Sequence, residues 1–112
     1  MRVVKKDGNR EDFDLRKVLE GLHRACYKRP IPAERITELA EAIERELHRE
    51  YEGEVPSRRI GELAMAKLRD LDHVAYIRFA SVYREFKDVS DFVEEADTVL
   101  RSASDGSGQT ST

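Results

Sequence analysis

The sequence predicts a mostly α-helical domain in which an N-terminal β-hairpin lies on a bundle of four to five helices. Two observations carry this prediction. A short turn, Asp7-Gly8-Asn9, separates two short extended runs at the start of the chain. After residue 14, apolar residues recur at helical spacing in successive segments that proline and glycine separate. The chain of 112 residues suffices for one domain, which we expect over residues 2–100.

The hairpin is predicted from the extended runs at residues 3–6 and 10–13. Gly8 reaches positive φ without a Cβ clash, as a tight turn between antiparallel strands requires. An isolated hairpin is only marginally stable in water, so this one has to pack against another element or close over a ligand. The pattern itself leaves both possibilities open.

Two helices follow the hairpin. Asp14 is a suitable N-cap for the first helix, which we expect to end near Tyr27 because Pro30 and Pro32 prevent its continuation. Pro32 is suited to the start of the second helix, which stops by Gly53. Their apolar stripes comprise Leu15, Val18, Leu19, Leu22 and Cys26, and then Ile36, Leu39, Ala40, Ile43 and Leu47.

Three further helices are predicted. Ser57 is expected to cap the third, in which Gly61 indicates the close approach of a neighbour or a ligand. The fourth begins at Asp72 or His73 and is the most apolar segment, so we expect it to be buried on more than one side. A fifth covers residues 90–100, and the polar tail at residues 101–112 is expected to be disordered.

The charge distribution is uneven along the chain. Charged residues make up 38% of the sequence, which suits amphipathic helices around a thin core, and the net charge of −3 argues against a generic nucleic-acid binder. Residues 1–30 contain nine Lys or Arg and five Asp or Glu, whereas residues 88–112 contain one and six. The basic first third indicates either an anionic ligand or an ordinary solvated face.

Several kinds of chemistry are not expected. Cys26 is the only cysteine, which excludes an internal disulfide or a multi-cysteine zinc site, and its place on an apolar stripe predicts a core residue. No glycine-rich phosphate loop is present, and His23, His48 and His73 lie too far apart to suggest a metal site. We expect no enzymatic activity, and the lack of a secretion signal or membrane-spanning run predicts a cytoplasmic protein.

One constellation does suggest a site. Lys17 lies in the first turn of the first helix, where the helix N-terminus already favours an anion, and a folded hairpin brings Lys5 or Lys6 near it. Three cations there would suit a triphosphate. Glu11 and Asp14 are acceptors suited to ribose hydroxyls, an exocyclic amine or Mg²⁺ through water. Surface ion pairs such as Lys6–Glu11 are the alternative interpretation.

Longer stretches of the sequence resemble a known family. The opening VVKKDGNREDFDLRKV resembles the start of the ATP-cone, the regulatory domain that binds ATP or dATP in many ribonucleotide reductases. The stretch VPSRRIGELAMAKLRDLDHVAYIRFASVYREFKDVSDF is similar to the ATP-cone of the bacterial transcriptional repressor of ribonucleotide reductase genes. The resemblance covers roughly residues 2–97.

The resemblance implies that the hairpin is a lid over an adenine nucleotide, ATP or dATP, bound with Mg²⁺. Lys6 stands where the family usually has arginine, so the bidentate fork of a guanidinium is lost there. The positions that would line the nucleotide are Val3, Lys5, Lys6, Glu11, Asp14 and Lys17, together with Ser57, Tyr83 and Lys87.

The resemblance also implies a regulatory function. The expected protein senses nucleotide supply through its oligomeric state, with a second copy, a ribonucleotide reductase or a zinc-ribbon repressor as partner. The repressor family places a four-cysteine zinc ribbon before the cone; this chain has none, so neither zinc nor sequence-specific DNA binding by the chain alone is expected. The alternative is a helical interaction module without nucleotide binding that docks on a reductase or an intact repressor.

Overall fold

The computed structural model describes residues 1–86 and 89–111, with the side chains through residue 101. Within them the chain is mostly helical, and the predicted class, an N-terminal hairpin on a helical bundle, is confirmed. The elements in chain order are β1 (Arg2–Val4), β2 (Arg10–Asp12), α1 (Leu15–Ala25), α2 (Ala33–Glu50), β3 (Glu54–Pro56), α3 (Ser57–Leu71), α4 (His73–Tyr83) and α5 (Val89–Ser111).

A third strand joins the hairpin. The sheet has the order β2-β1-β3, in which Val3 of β1 pairs with Glu11 in the antiparallel ladder and with Val55 in the parallel one. The side chain of Arg10 on β2 reaches Glu54 on β3. β3 was not predicted from the sequence, because three residues between a glycine turn and a helix show no measurable periodicity. Through β3, the hairpin is tied to the start of α3.

The core lies between the helices and the buried face of this sheet. Cys26 belongs to this core, as predicted, and burial raises the pKa of its thiol above the ordinary value. The largest fully buried side chains are Leu22, Ile43, Leu47, Val55, Leu68 and Val99.

The N-termini of α1 and α4 have a side-chain cap, whereas those of α2 and α3 do not. Asp14 caps α1 by accepting a hydrogen bond from the backbone N–H of Arg16 at 3.0 Å. Asp72 caps α4 in the same way through Ala75 N–H at 2.9 Å. The prediction that Ser57 caps α3 is wrong: Ser57 is the first helical residue, and Pro56 precedes it without a side-chain acceptor.

The predictions for the last two helices need correction or extension. The fourth helix packs against α1, α3 and α5, as expected of a segment buried on more than one side, with Ala75, Tyr76 and Ala80 in the core, but Val74 and Val82 are exposed. The fifth helix is present and its assignment continues to residue 111. The disorder expected for residues 101–112 stays a prediction, because no side chain beyond residue 101 is described.

Leu68→Ala tests the position of the core. Leu68 is fully buried on α3, and truncation of such a leucine typically lowers the free energy of unfolding by about 2–5 kcal/mol. The matched control is Val82→Ala at an exposed position of α4, for which we expect a change within about 0.5 kcal/mol. Urea denaturation measures both variants, and equal effects would contradict this packing.

Candidate functional site

A cavity of about 330 Å³ lies between the hairpin, α1, α3 and α4. Much of its wall is apolar, with Phe13 from the hairpin side, Ile60 from α3 and Phe79 from α4. Carboxylates and one ammonium group stand among these apolar groups. Six of the predicted site residues line this cavity: Val3, Glu11, Asp14, Lys17, Ser57 and Tyr83.

A second cavity, of about 720 Å³, adjoins the first and shares Ser57 and Tyr83 with it. Its wall is basic, and Glu85 is its acidic member. The cations that line it are Lys5, Lys6, Arg58 and Arg84. Every predicted site residue that the structure describes therefore lines one of the two cavities, whereas Lys87 lies outside the described residues.

Glu11 bridges two of the lysines. Its carboxylate oxygens lie 3.2 Å from Lys5 Nζ and 3.5 Å from Lys17 Nζ. The hydrogen bond from Lys5, and then the positive charges of both lysines, lower the pKa of Glu11 below its ordinary value. The hairpin thus brings Lys5 to Lys17, as the sequence suggested, but the partner of Glu11 is Lys5 and not Lys6.

Lys6 and Asp14 take no part in this bridge between Glu11 and the two lysines. Lys6 is exposed and forms no ion pair with the described residues. Asp14 accepts hydrogen bonds from the guanidinium of Arg16 at 3.3 Å, and this contact lowers the pKa of its carboxyl. Glu20, four residues after Arg16, lies 4.0 Å from Arg24.

Tyr83 covers Gly61 at the junction of the two cavities. A Cβ at position 61 would lie within 2.6 Å of ring carbons of Tyr83, so the close approach predicted at this glycine is confirmed. The Tyr83 hydroxyl donates to the backbone oxygen of Arg58 at 2.9 Å, and its ring stacks on Phe79 with centroids 6.4 Å apart.

The start of α3 contributes to the basic cavity. Pro56, Ser57 and Arg58 line the cavity, and no described side chain caps this helix. Helix N-termini carry unpaired N–H groups and the positive end of the helix dipole, which favour an anion. Arg58 and Arg84 were not predicted as site residues, because nothing in their spacing places them beside the hairpin.

The described part of the chain has neither a metal-binding cluster nor a membrane-spanning helix. No cluster of three or more His, Cys, Asp or Glu side chains there is arranged to hold a metal ion. No described helix is both long and apolar enough to cross a membrane.

Comparison with known proteins identifies the family. The model of the ATP cone domain matches residues 1–89, and the chain belongs to the ATP-cone family. It is also similar to proteins named transcriptional repressor NrdR. The protein of Heliobacterium modesticaldum is 56% identical over 99 residues, which are 88% of this chain and 65% of the relative.

Two further repressors give the same result. Those of Pelotomaculum thermopropionicum and Listeria welshimeri are 52% and 54% identical, over 93% and 92% of this chain. The matches cover 63% and 67% of those proteins. The chain thus spans about two thirds of the length of the curated relatives it matches.

Gly61→Ala tests the contact with Tyr83. Alanine is favoured over glycine inside a helix by about 1 kcal/mol, but here the new methyl group has to displace the tyrosine ring from its contacts. The matched control is Gly21→Ala in α1, where the nearest side-chain atom, of Phe79, would lie at an ordinary 3.6 Å. We expect the control to stabilise and Gly61→Ala to destabilise the chain in urea; stabilisation by both would contradict the contact.

The titration of Glu11 tests the lysine bridge. We expect its carboxyl carbon, followed by NMR, to titrate below the ordinary glutamate range, and the pKa to rise more in Lys5→Met than in Lys17→Met. Because the folded pKa is depressed, the contribution of Glu11 to stability is present above the unfolded pKa and is lost as pH falls through the folded pKa. An unshifted carboxyl in the unaltered chain would show that the bridge is not formed.

Proposed function

We propose that the chain is a nucleotide sensor that binds ATP or dATP with Mg²⁺ in the two adjoining cavities and links this binding to the regulation of ribonucleotide reductase. The observation that carries the proposal is the pairing of a mainly apolar cavity with a basic one across Ser57 and Tyr83. An adenine nucleotide has the same division into a planar base and a polyanion. Both cavities fall in the usual range of ligand sites, about 300–1,000 Å³.

The apolar cavity fits the base and the ribose. Val3, Ile60 and Phe79 offer apolar surface for a planar ring. Glu11 and Asp14 are acceptors on the same wall, and acceptors of this kind suit ribose hydroxyls or an exocyclic amine. The fit supports adenine nucleotides as a class.

The basic cavity fits the phosphates. Lys5, Lys6 and Arg58 stand around it, and the start of α3 adds backbone donors. In the present geometry Lys5 and Lys17 are paired with Glu11, whose carboxylate is half-buried, so phosphate oxygens would have to displace this carboxylate from the two exposed lysines. Bound Mg²⁺ would neutralise part of the triphosphate charge, and Glu11 or Asp14 would hold it through water.

The proposed link to the regulation of ribonucleotide reductase is supported by the family and by the relatives of this chain. Proteins similar to this chain are transcriptional repressors, and we propose that the occupied cone changes how copies of the chain associate. Such coupling requires each nucleotide to bind the association states with different affinity, and ATP and dATP differ only in the 2′-hydroxyl. A ribonucleotide reductase or a zinc-ribbon repressor is the proposed partner in the cytoplasm. Neither catalysis nor DNA binding by the chain alone is proposed.

Thermal unfolding with Mg·ATP or Mg·dATP tests the binding proposal. A ligand at a hundred times its dissociation constant adds about 2.7 kcal/mol of stability, which for this size of domain raises Tm on the order of 10 °C. In Lys17→Ala we expect binding at least about tenfold weaker with the fold retained, since the side chain is exposed and helps to form a charged wall. Arg45→Ala, which removes an exposed cation of α2 away from both cavities, is the matched control and should respond like the unaltered chain.

A second function is favoured if no nucleotide binds. Large apolar side chains are exposed on α5, with Val93 60% and Leu100 64% exposed, which would suit a helical docking module. The absence of any shift in Tm with either nucleotide would contradict the sensor and favour this module. A shift of equal size in Lys17→Ala would instead contradict the assigned site.

A further inference from the structure

The polar contact between α4 and α5 is built around a buried carboxylate. Glu95 of α5 is only 8% exposed. One of its oxygens accepts a hydrogen bond from Arg84 Nη1 at 2.6 Å, and the other accepts one from the hydroxyl of Tyr76. A buried carboxylate is costly unless such partners compensate it, so the loss of either contact destabilises the packing of α5 on α4 around Glu95.

Arg84 also belongs to the basic cavity. It lines that cavity with Lys5, Lys6 and Arg58, directly after the last residue of α4. Nearly half of its side chain is exposed, whereas the side chain of its partner Glu95 is 11% exposed. One guanidinium therefore stands between an exposed cationic cavity and a buried anion.

We propose that Arg84 is a further phosphate-binding residue of the nucleotide site, and that it reaches the phosphate by giving up its ion pair with Glu95, so that nucleotide binding loosens α5. This inference rests on the proposed function, because it takes the phosphates to lie in the basic cavity. A triphosphate is a stronger competitor for a guanidinium than a single carboxylate is.

The effect on α5 depends on the contacts that this helix keeps when Arg84 leaves Glu95. Without Arg84, Glu95 keeps the Tyr76 hydroxyl but loses the ion pair that it forms with the described residues, and an uncompensated carboxylate in this buried place is destabilising. The apolar anchors of α5 stay in place: Val99 is buried, and Phe92 packs edge-on against Phe86 with centroids 5.1 Å apart. The helix therefore shifts or frays near Glu95 and does not detach. By linkage, a change that breaks the Arg84–Glu95 pair but keeps Arg84 strengthens nucleotide binding.

The proposal predicts that breaking the Arg84–Glu95 pair while keeping Arg84 increases the affinity for the nucleotide, and this direction can be tested. We would titrate the full chain with Mg·ATP by calorimetry and compare three variants with the unaltered chain. Glu95→Gln keeps an acceptor for Tyr76 but frees Arg84, and we expect several-fold tighter binding. Arg84→Ala should bind about tenfold more weakly, as expected for the loss of a charge-assisted hydrogen bond. Asp97→Asn, which removes the same charge from α5 at an exposed residue paired with Arg101, should bind like the unaltered chain.

Hydrogen exchange supplies an independent measurement. Saturating Mg·ATP should speed the exchange of backbone amides in residues 89–101 of the unaltered chain. In Glu95→Gln these amides should exchange faster before any nucleotide is added, and ATP should change them little. If Arg84→Ala does not fold because Glu95 is left unpaired, the double variant Arg84→Ala/Glu95→Gln removes both charges and should still bind ATP more weakly than Glu95→Gln.

The outcomes separate the two proposals. No binding of ATP by the unaltered chain overturns the nucleotide site and this inference together. Normal binding that Glu95→Gln leaves unchanged or weakens, or slower exchange in α5 with ATP, overturns the role of Arg84 alone. Tightening by Asp97→Asn equal to that by Glu95→Gln would show a general charge effect and would likewise overturn it.

Discussion

The parallel pairing of β1 with β3 is the constraint on which the rest of the structure depends. It joins Val3 to Val55, both of them buried, and β3 continues without a break into α3. A two-stranded hairpin would be marginal in water, but a third strand and an apolar face give it a fixed place on the helices. The register therefore decides that the lysines following β1 stand beside Ser57, and that the apolar and basic cavities meet there.

The ion pairs around the site fall into two groups that differ in the free energy needed to break them. Glu11 is half-buried in its contacts with Lys5 and Lys17, whose side chains are exposed, so water and counterions already compete for the two lysines and, under the proposed function, a phosphate would replace the carboxylate readily. In the contact of Arg84 with Glu95 the carboxylate is buried although Arg84 is nearly half exposed, and the loss of this contact leaves the buried charge uncompensated. We therefore expect exchange at the first group to set the affinity for the nucleotide and exchange at the second to alter the packing of a helix.

Local rules in the sequence were sufficient for the hairpin, the boundaries of the first four helices to within a few residues, the cap at Asp14 and the start of the fourth helix at Asp72 or His73. Each depends on residues close together in the chain. They failed where tertiary contacts decide: β3 is too short to show a period, and Val74 and Val82 of α4 belong to its apolar pattern yet are exposed. The cluster around Lys5 and Lys17 was predictable because hairpin and helix are adjacent in sequence. Arg58 joins it only through the fold, since its cavity wall comes from distant segments.

Gly61 is a position where the sequence predicts a close contact but not the residue that makes it. A glycine inside a helix indicates close approach, but the sequence does not say of what; the structure answers with the ring of Tyr83, the last residue of α4. Because Arg84 follows it directly, the ring that separates the two cavities and the guanidinium that holds Glu95 belong to neighbouring residues at one helix end. A ligand that moves this end of α4 would therefore act at once on the apolar cavity, the basic cavity and the contact of Arg84 with Glu95. The absence of a side chain at position 61 leaves the room that the Tyr83 ring occupies in this arrangement.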